Sequence, residues 1–391
     1  MLKIDKFLLY LATFETLCFS GAPKLLVHEG VCAILWVLTG ILIWHRTALK
    51  DKVAFNRNIK IAILLIAWTC ITSVILNTPE DNHWMAYSLI PFGGAFIISS
   101  YSFQIYRNAL FKSLNVLLVT SLIVHFLHNL GFIPATFDGN STYFSLYFFN
   151  VQWGWFETLW MDIYRFSAIY WEPGQLQVVL TYVLCLYIDV LQKYVHNIKF
   201  LLLKFGIVIF SYLMTFSTTG FVVLAIIAFV TFSFSGSSNS KIFAKIISIA
   251  MAFIVVHALL NSRAVQDKFE QRNSNEITSY SIRMTDALVA LNIALDNPIF
   301  GAGLSSHELK SAYQKTGRES SSNGWLNSSA SLGFPYVIFL IVFVYRGLKR
   351  MYKKKLLSLF VLAALVLSQA NESQTYYPYM WLYIYSFSRF V

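Results

Sequence analysis

One carboxylate and two well-separated arginines are the residues of this chain whose types and settings could do chemistry on a charged polar ligand. Glu172 stands in Tyr170-Trp171-Glu172-Pro173-Gly174, where a polar stretch gives way to an apolar one. Pro is favoured in the first turn of a helix, so this spacing predicts that Glu172 projects from a helix N-terminus. Arg165 lies upstream in the same stretch. A cation and a carboxylate beside a membrane are costly unless they serve a polar ligand or each other. Glu172 therefore either caps its helix and pairs with Arg165, or acts on something bound there. Arg283 lies in a second polar stretch, with Arg263, Arg272 and Arg318 nearby. A guanidinium holds a phosphate diester through a planar fork, and these four are suited to one. Their other possible partners are lipid headgroups and the acids of the same stretch.

The elements that must position these groups are apolar helices. The chain is 57% hydrophobic and 13% charged, whereas soluble domains carry about a quarter of charged residues. A spanning helix needs roughly 20 apolar residues. That length predicts about twelve spans, near 8–22, 27–44, 60–76, 84–101, 113–133, 174–191, 199–215, 219–235, 241–260, 326–345, 356–370 and 376–391. The expected fold is all-α, a single polytopic membrane domain over 1–391, with large polar loops at 134–173 and 261–325. The second loop holds seven Lys or Arg and seven Asp or Glu between Asn261 and Trp325. Simple connections are much shorter, and a loop of this size usually has a substrate to handle.

The net charge of +11 sorts by side of the membrane rather than marking a nucleic-acid surface. Alternate connections carry Lys3 and Lys6, Arg46 to Lys60, Arg107 and Lys112, Lys193 to Lys204, Lys241 and Lys245, and Arg346 to Lys355. Retained Lys and Arg mark the cytoplasmic face. Both termini are then expected inside and both long loops outside, with Glu80, Asp81, Asp138, Glu157, Asp162, Glu172 and Glu372 on the outer side. The first span carries Glu15 with no cleavage pattern after it, and is expected to be retained. Cys18, Cys32, Cys70 and Cys185 fall in apolar spans, so neither a disulfide framework nor a metal spacing is implied.

Four further features bear on the loops. Tyr143 to Trp171 contains thirteen Phe, Tyr or Trp residues. They could be stacking faces for sugar rings, with Trp153, Trp155 and Trp171 as candidates, or an interfacial belt. Apolar residues at Ala287, Leu288, Leu291 and Leu295 predict an amphipathic helix from Arg283, closed by Asn297-Pro298. Gly301-Ala302-Gly303 then allows a tight turn and close approach of backbone to a ligand. Ser217-Thr218-Thr219-Gly220 could cap the helix that follows it, and Pro91-Phe92-Gly93-Gly94 predicts a kink or a close helix contact.

Three pieces, taken in order, resemble a known family: Arg165…Tyr170-Trp171-Glu172-Pro173, then Ser217-Thr218-Thr219-Gly220, then Arg283…Asn297-Pro298-Ile299-Phe300-Gly301-Ala302-Gly303. With about twelve spans and two large outer loops, the chain resembles the Wzy-type polysaccharide polymerases of bacteria, which make O-antigen or capsule. These share a superfamily with the O-antigen ligases. The likeness covers roughly residues 160 to 391. It implies a membrane glycosyltransferase of the GT-C kind in the bacterial cytoplasmic (inner) membrane. Such an enzyme transfers a growing glycan from undecaprenyl diphosphate onto a new lipid-linked repeat unit at the periplasmic face. It implies catalytic roles for Arg165 and Arg283, which hold the diphosphate, and for Glu172 as acid–base. Substrate-binding roles would fall to Arg263, Arg272, Trp171, Thr218, Gly301, Gly303 and Asn323. Many relatives carry a His-Asn pair where this chain reads Ser322-Asn323-Gly324-Trp325, which weakens a ligase reading and leaves Glu172 as the better base.

A diphosphate is already a good leaving group, so the protein must neutralise the charge growing on it. Arginines do this without a metal, and the sequence has no clustered acids of the kind a divalent ion needs. The acceptor hydroxyl needs a carboxylate to take its proton, and attack opposite the diphosphate inverts the anomeric centre. The expected partners are undecaprenyl-diphosphate-linked oligosaccharides, the lipid bilayer, and possible flippase and chain-length regulator proteins, with no cofactor and no nucleic acid. The alternatives are an O-antigen ligase and a lipid-linked oligosaccharide flippase or other transporter. A transporter should show paired repeats and several ionisable groups at the midplane.

Overall fold

The computed structural model describes residues 3–22, 29–47, 51–76, 83–137, 143–152, 155–157, 162–195, 197–234, 279–304, 306–314, 323–370 and 377–388. The expected span at 241–260, and Arg263, Arg272, Trp153 and Arg318, lie outside these residues.

In chain order the first helices are α1 (Lys3–Cys18), α2 (Glu29–Thr47), α3 (Lys52–Ile75), α4 (His83–Ser100) and α5 (Phe103–Asn129). Short strands follow: β1 (Thr136–Phe137), β2 (Tyr143–Ser145), β3 (Phe149–Gln152), β4 (Trp155–Glu157) and β5 (Asp162–Tyr164). Then come α6 (Pro173–Leu186), α7 (Ile188–Tyr194), α8 (Ile198–Met214) and α9 (Thr218–Ser233). The last described helices are α10 (Ser279–Asp296), α11 (His307–Gln314), α12 (Gly324–Tyr352), α13 (Lys355–Ser368) and α14 (Pro378–Ile384).

Every expected span within the described residues coincides with a helix, although the last does so only over the short α14. Helices α3, α5 and α12 are long and apolar enough to cross a membrane alone, and α6 with α7, bent by 64°, would make a fourth crossing. The other apolar helices among the described residues are shorter. The described apolar segments are helical, but the 134–173 loop departs from the all-α expectation. Its strands form a three-stranded antiparallel sheet, β1-β2-β3, and a two-stranded one, β4-β5. Thr136 faces Phe144, Phe144 faces Asn150, and Phe156 faces Ile163. Aromatic residues fit a pleated, half-buried surface, which is the physical reason this Phe- and Tyr-rich stretch pairs as strands.

The described residues group into two compact units, each discontinuous in sequence. The first comprises Met1–Leu114, Arg283–Met351 and Ser373–Val391. Within it α2 and α4 approach closely through glycine. A side chain at Gly40 would lie 2.9 Å from the Gly93 carbonyl oxygen, and one at Gly93 would run into the Trp36 ring. Trp36 Nε1 donates to Ile90 O at 3.0 Å, and Tyr385 OH donates to Pro91 O at 2.8 Å. The Pro91-Phe92-Gly93-Gly94 run is therefore a close contact, its backbone satisfied by neighbouring side chains. All of α14 is buried, and beyond it Asn58 exchanges two bonds with Ser386, Nδ2 to O and N to Oδ1, each 2.8 Å.

The second unit comprises Asn115–Ile282 and Tyr352–Glu372. Helix α6 is its centre: it packs against α8, α9 and α13, and every residue from Leu176 to Leu186 is buried. A helix apolar on all faces belongs in such a position.

Candidate functional site

Glu172 is the N-cap of α6, in extended backbone, with Pro173 at the first helical position. Its carboxylate makes no capping hydrogen bond. Gln175 Oε1 accepts from the amide of Trp171, the residue before the cap, at 3.2 Å. Glu172 is half-buried. The stretch leading to it is held tightly from two sides. Asn150 at the end of the first sheet receives the chain: its amide donates to Ala168 O at 2.8 Å, and its Nδ2 donates to Tyr170 O and Trp171 O at 3.1 and 2.9 Å. Ala168 is buried with φ 56°, a left-handed backbone that costs a non-glycine residue energy and persists only where surroundings hold it.

From the other side, the C-terminus of α8 supplies acceptors. The Phe166 amide donates to Met214 O at 2.9 Å, and Arg165 Nε donates to Thr215 O at 3.0 Å. A cation at a helix C-terminus satisfies a leftover carbonyl and complements the helix dipole. Arg165 is thus fixed on α8 through Nε. The chain then turns at Phe216, with φ 44°, into α9. Ser217 caps that helix, its Oγ accepting from the Gly220 amide at 3.2 Å, as its position predicts. Thr218 is exposed in the first turn. A side chain at Gly220 would sit 2.6 Å from Gln177 Cγ, so α6 and α9 touch here.

Beneath this contact lies a buried polar network that the sequence reading did not pick out. Gln177 Nε2 donates to Thr181 Oγ1 and Tyr212 OH, both at 3.0 Å, and the Thr181 and Tyr212 hydroxyls are 2.9 Å apart. Gln369 Nε2 donates to Tyr182 OH at 2.6 Å. His125 on α5 is buried edge-on to Phe166, the residue after Arg165, with ring centroids 5.5 Å apart. The signal available in sequence was the spacing of Gln177 and Thr181, one turn apart in an otherwise apolar span. Asn150 gave no local signal, because its partners lie beyond the second hairpin.

The other candidates belong to the first unit. Arg283 stands near the start of α10; its side chain is outside the described residues. The predicted helix forms and ends before Asn297, but its packed face is not the expected one: Leu288 and Leu295 are exposed, and Ala290 and Ile293 share a small core with Ala302, Leu309, Tyr313 and Ala330. Gly301 and Gly303 have φ of 68° and 93°, the tight turn expected of them. What comes close to this turn is protein backbone: a side chain at Gly301 would lie 2.5 Å from the Ser331 carbonyl carbon. Asn323 caps α12, its Oδ1 accepting from the Leu326 amide at 3.0 Å. His307 and Glu308, both exposed, open α11, with Glu308 Oε1 accepting from Asn297 Nδ2 at 3.4 Å.

The second unit therefore brings Arg165, Trp171, Glu172 and Thr218 onto adjoining segments. Arg283, Gly301, Gly303 and Asn323 fall on the α10–α12 segment of the first. Among the described residues no three His, Cys, Asp or Glu side chains are arranged to hold a metal ion.

Comparison with known proteins adds one match. No curated protein matches the chain. Residues 200–341 match the model of the family described as O-Antigen ligase. That range takes in Thr218, Arg263, Arg272, Arg283, Gly301, Gly303 and Asn323, and begins after Arg165, Trp171 and Glu172. With its apolar helices the chain is a multi-pass membrane protein, and its residues 200–341 are similar to that family, consistent with the O-antigen ligase/polymerase superfamily.

Proposed function

We propose that the protein is a polysaccharide polymerase of the cytoplasmic membrane. It moves a growing glycan from undecaprenyl diphosphate onto the sugar hydroxyl of a lipid-linked repeat unit, at the periplasmic face. The observation that carries this reading is the state of Glu172: a carboxylate at a helix N-terminus that makes no capping hydrogen bond, on a segment that also holds an arginine anchored on α8. In the mechanism, Glu172 takes the proton of the attacking hydroxyl as the glycosidic bond forms. Arg165 and Arg283 neutralise the departing diphosphate, aided by Arg263 and Arg272, and the product is inverted at its anomeric carbon. Trp171 and Thr218 line the sugar side. Gly301, Gly303 and Asn323, assigned to substrate binding, shape the segment that carries Arg283.

The description of the matched family supports a second reading, an O-antigen ligase that transfers the same donor's glycan to a lipid A–core acceptor. The two part on the glycan that accumulates when the gene is deleted. A polymerase's loss leaves single repeat units attached to the surface lipid; a ligase's loss leaves long glycan on undecaprenyl diphosphate and none on the lipid A–core.

Topology gives an independent check. Reporter fusions after Asp51, Lys199 and Lys353 should report the cytoplasm, and fusions after Thr136 and Lys310 the periplasm, because Lys and Arg cluster on the first set of connections. A cytoplasmic Lys310 would remove Arg283 from the outer face and sink the mechanism.

A further inference from the structure

Helix α12 is interrupted in its middle. Gly333 leaves the helical conformation, with φ 81° and ψ 164°, and Pro335 has no amide to continue the ladder. In an unbroken helix the carbonyls of Ala330, Ser331 and Leu332 would accept from residues 334, 335 and 336. Here all three are taken by outside donors. The Ala302 amide donates to Ala330 O at 2.7 Å, the Gly303 amide to Ser331 O at 3.0 Å, and Trp68 Nε1 to Leu332 O at 2.9 Å. The Phe334 amide, released from Ala330, donates to Pro298 O at 3.0 Å. The fit is close on both strands of this contact, since a side chain at Gly333 would collide with Ile299 O. Phe300 stacks on Trp68, with centroids 5.6 Å apart and planes at 25°.

With Pro335 in place the Ser331 carbonyl has no partner within a helix and needs an outside donor, whereas the Ala330 and Leu332 carbonyls could be satisfied by the helix itself. The exchange does more than satisfy them. What it adds is a fixed angle. α10 ends at Asp296, and the turn begins bonding to α12 at Pro298, leaving no slack between them. We propose that the 298–303 turn and Trp68 are a splint replacing the ladder of the broken α12, and that Trp68, Phe300 and Gly333 are positioning residues holding α10, with Arg283, for glycan transfer. The functional half rests on the polymerase reading given above; the splint itself does not.

The test uses the whole protein in lipid nanodiscs, with a lipid-diphosphate-linked oligosaccharide as substrate. Hydrogen exchange at amides 302, 303 and 334 is measured alongside the rate. The paired change Gly333→Ala/Pro335→Ala lets α12 close its own ladder. Amides 302 and 303 should then lose protection while the middle of α12 stays protected. kcat should fall by about 10²-fold with KM little changed, the scale expected when a reacting group is displaced by about 1 Å. Trp68→Phe keeps the ring and removes one donor, and should lower kcat by about tenfold, the equivalent of one hydrogen bond. A paired variant that works at the native rate overturns the positioning role, and so does one whose loss lies in KM alone. If the native protein transfers nothing, the polymerase reading fails on that result. Exchange still decides the splint, which rapid exchange at amides 302 and 303 in the native protein would overturn.

Discussion

Glu172→Gln should lower polymer formation by about 10²-fold or more, the range for losing a general base, with the protein present in the membrane at its normal level. The geometry makes this substitution unusually clean. Glu172 makes no capping hydrogen bond and Pro173 starts the helix, so the carboxylate is not part of the cap. A neutral amide of the same shape should leave α6 as it is. Binding of the lipid-linked donor should persist, because in the proposed mechanism the arginines hold the diphosphate. Glu172→Asp should also be poor, since shortening the side chain withdraws the oxygen from the hydroxyl. If Glu172 were structural, Gln would cost at most about 1–2 kcal/mol of local stability and Asp would serve nearly as well. Glycan length on gels and donor retention by purified protein separate these outcomes. Full-length polymer from the Gln variant would send the search for a base to Asp162, His307 or Glu308.

Arg165→Ala and Arg283→Ala should each abolish long polymer. The two sites need different controls. Arg165 also donates to Thr215 O at the end of α8, so alanine there removes a helix-terminal partner along with the charge. Arg165→Lys is the discriminating variant. An ammonium can still meet the Thr215 carbonyl and complement the helix end, but it cannot offer a diphosphate the planar fork. Polymer should therefore remain depressed in Arg165→Lys while membrane abundance recovers to that of the native protein. Native polymer from the lysine form would assign Arg165 wholly to the α8 terminus. For Arg283, loss at unchanged abundance is expected from both Ala and Lys, and long polymer from either would shift the clamp toward Arg263 and Arg272.

Much of the helical framework was legible because length and apolarity speak for themselves in a membrane, and each expected span that can be compared meets a helix. The sheets in 134–173 were not. Tyr143 to Trp171 was legible only as an aromatic stretch, and aromatic side chains suit a bilayer interface, a sugar or a strand equally; strand pairing such as Thr136 with Phe144 is decided across the hairpin. The N-terminus of α6 followed from Pro173, but whether Glu172 bonds to its own helix did not, because the backbone path decides that and the residue type does not. Gly301 and Gly303 announced a tight turn and a close neighbour. That the neighbour is Ser331 depends on the break at Gly333, a partner remote in sequence. Ser217, whose bond is local, was read correctly from its position.

The burial of α6 on every side has a consequence for how the protein meets membranes of different composition. Helices that face lipid adjust their tilt when the hydrocarbon layer thickens or thins. α6 has no lipid-facing side from Leu176 to Leu186, and Glu172 rides at its end. Its depth is set by protein neighbours, so the height of the Glu172 carboxylate should be insulated from acyl-chain length. On the proposed reading, such a site would keep its chemistry in bilayers of varied thickness.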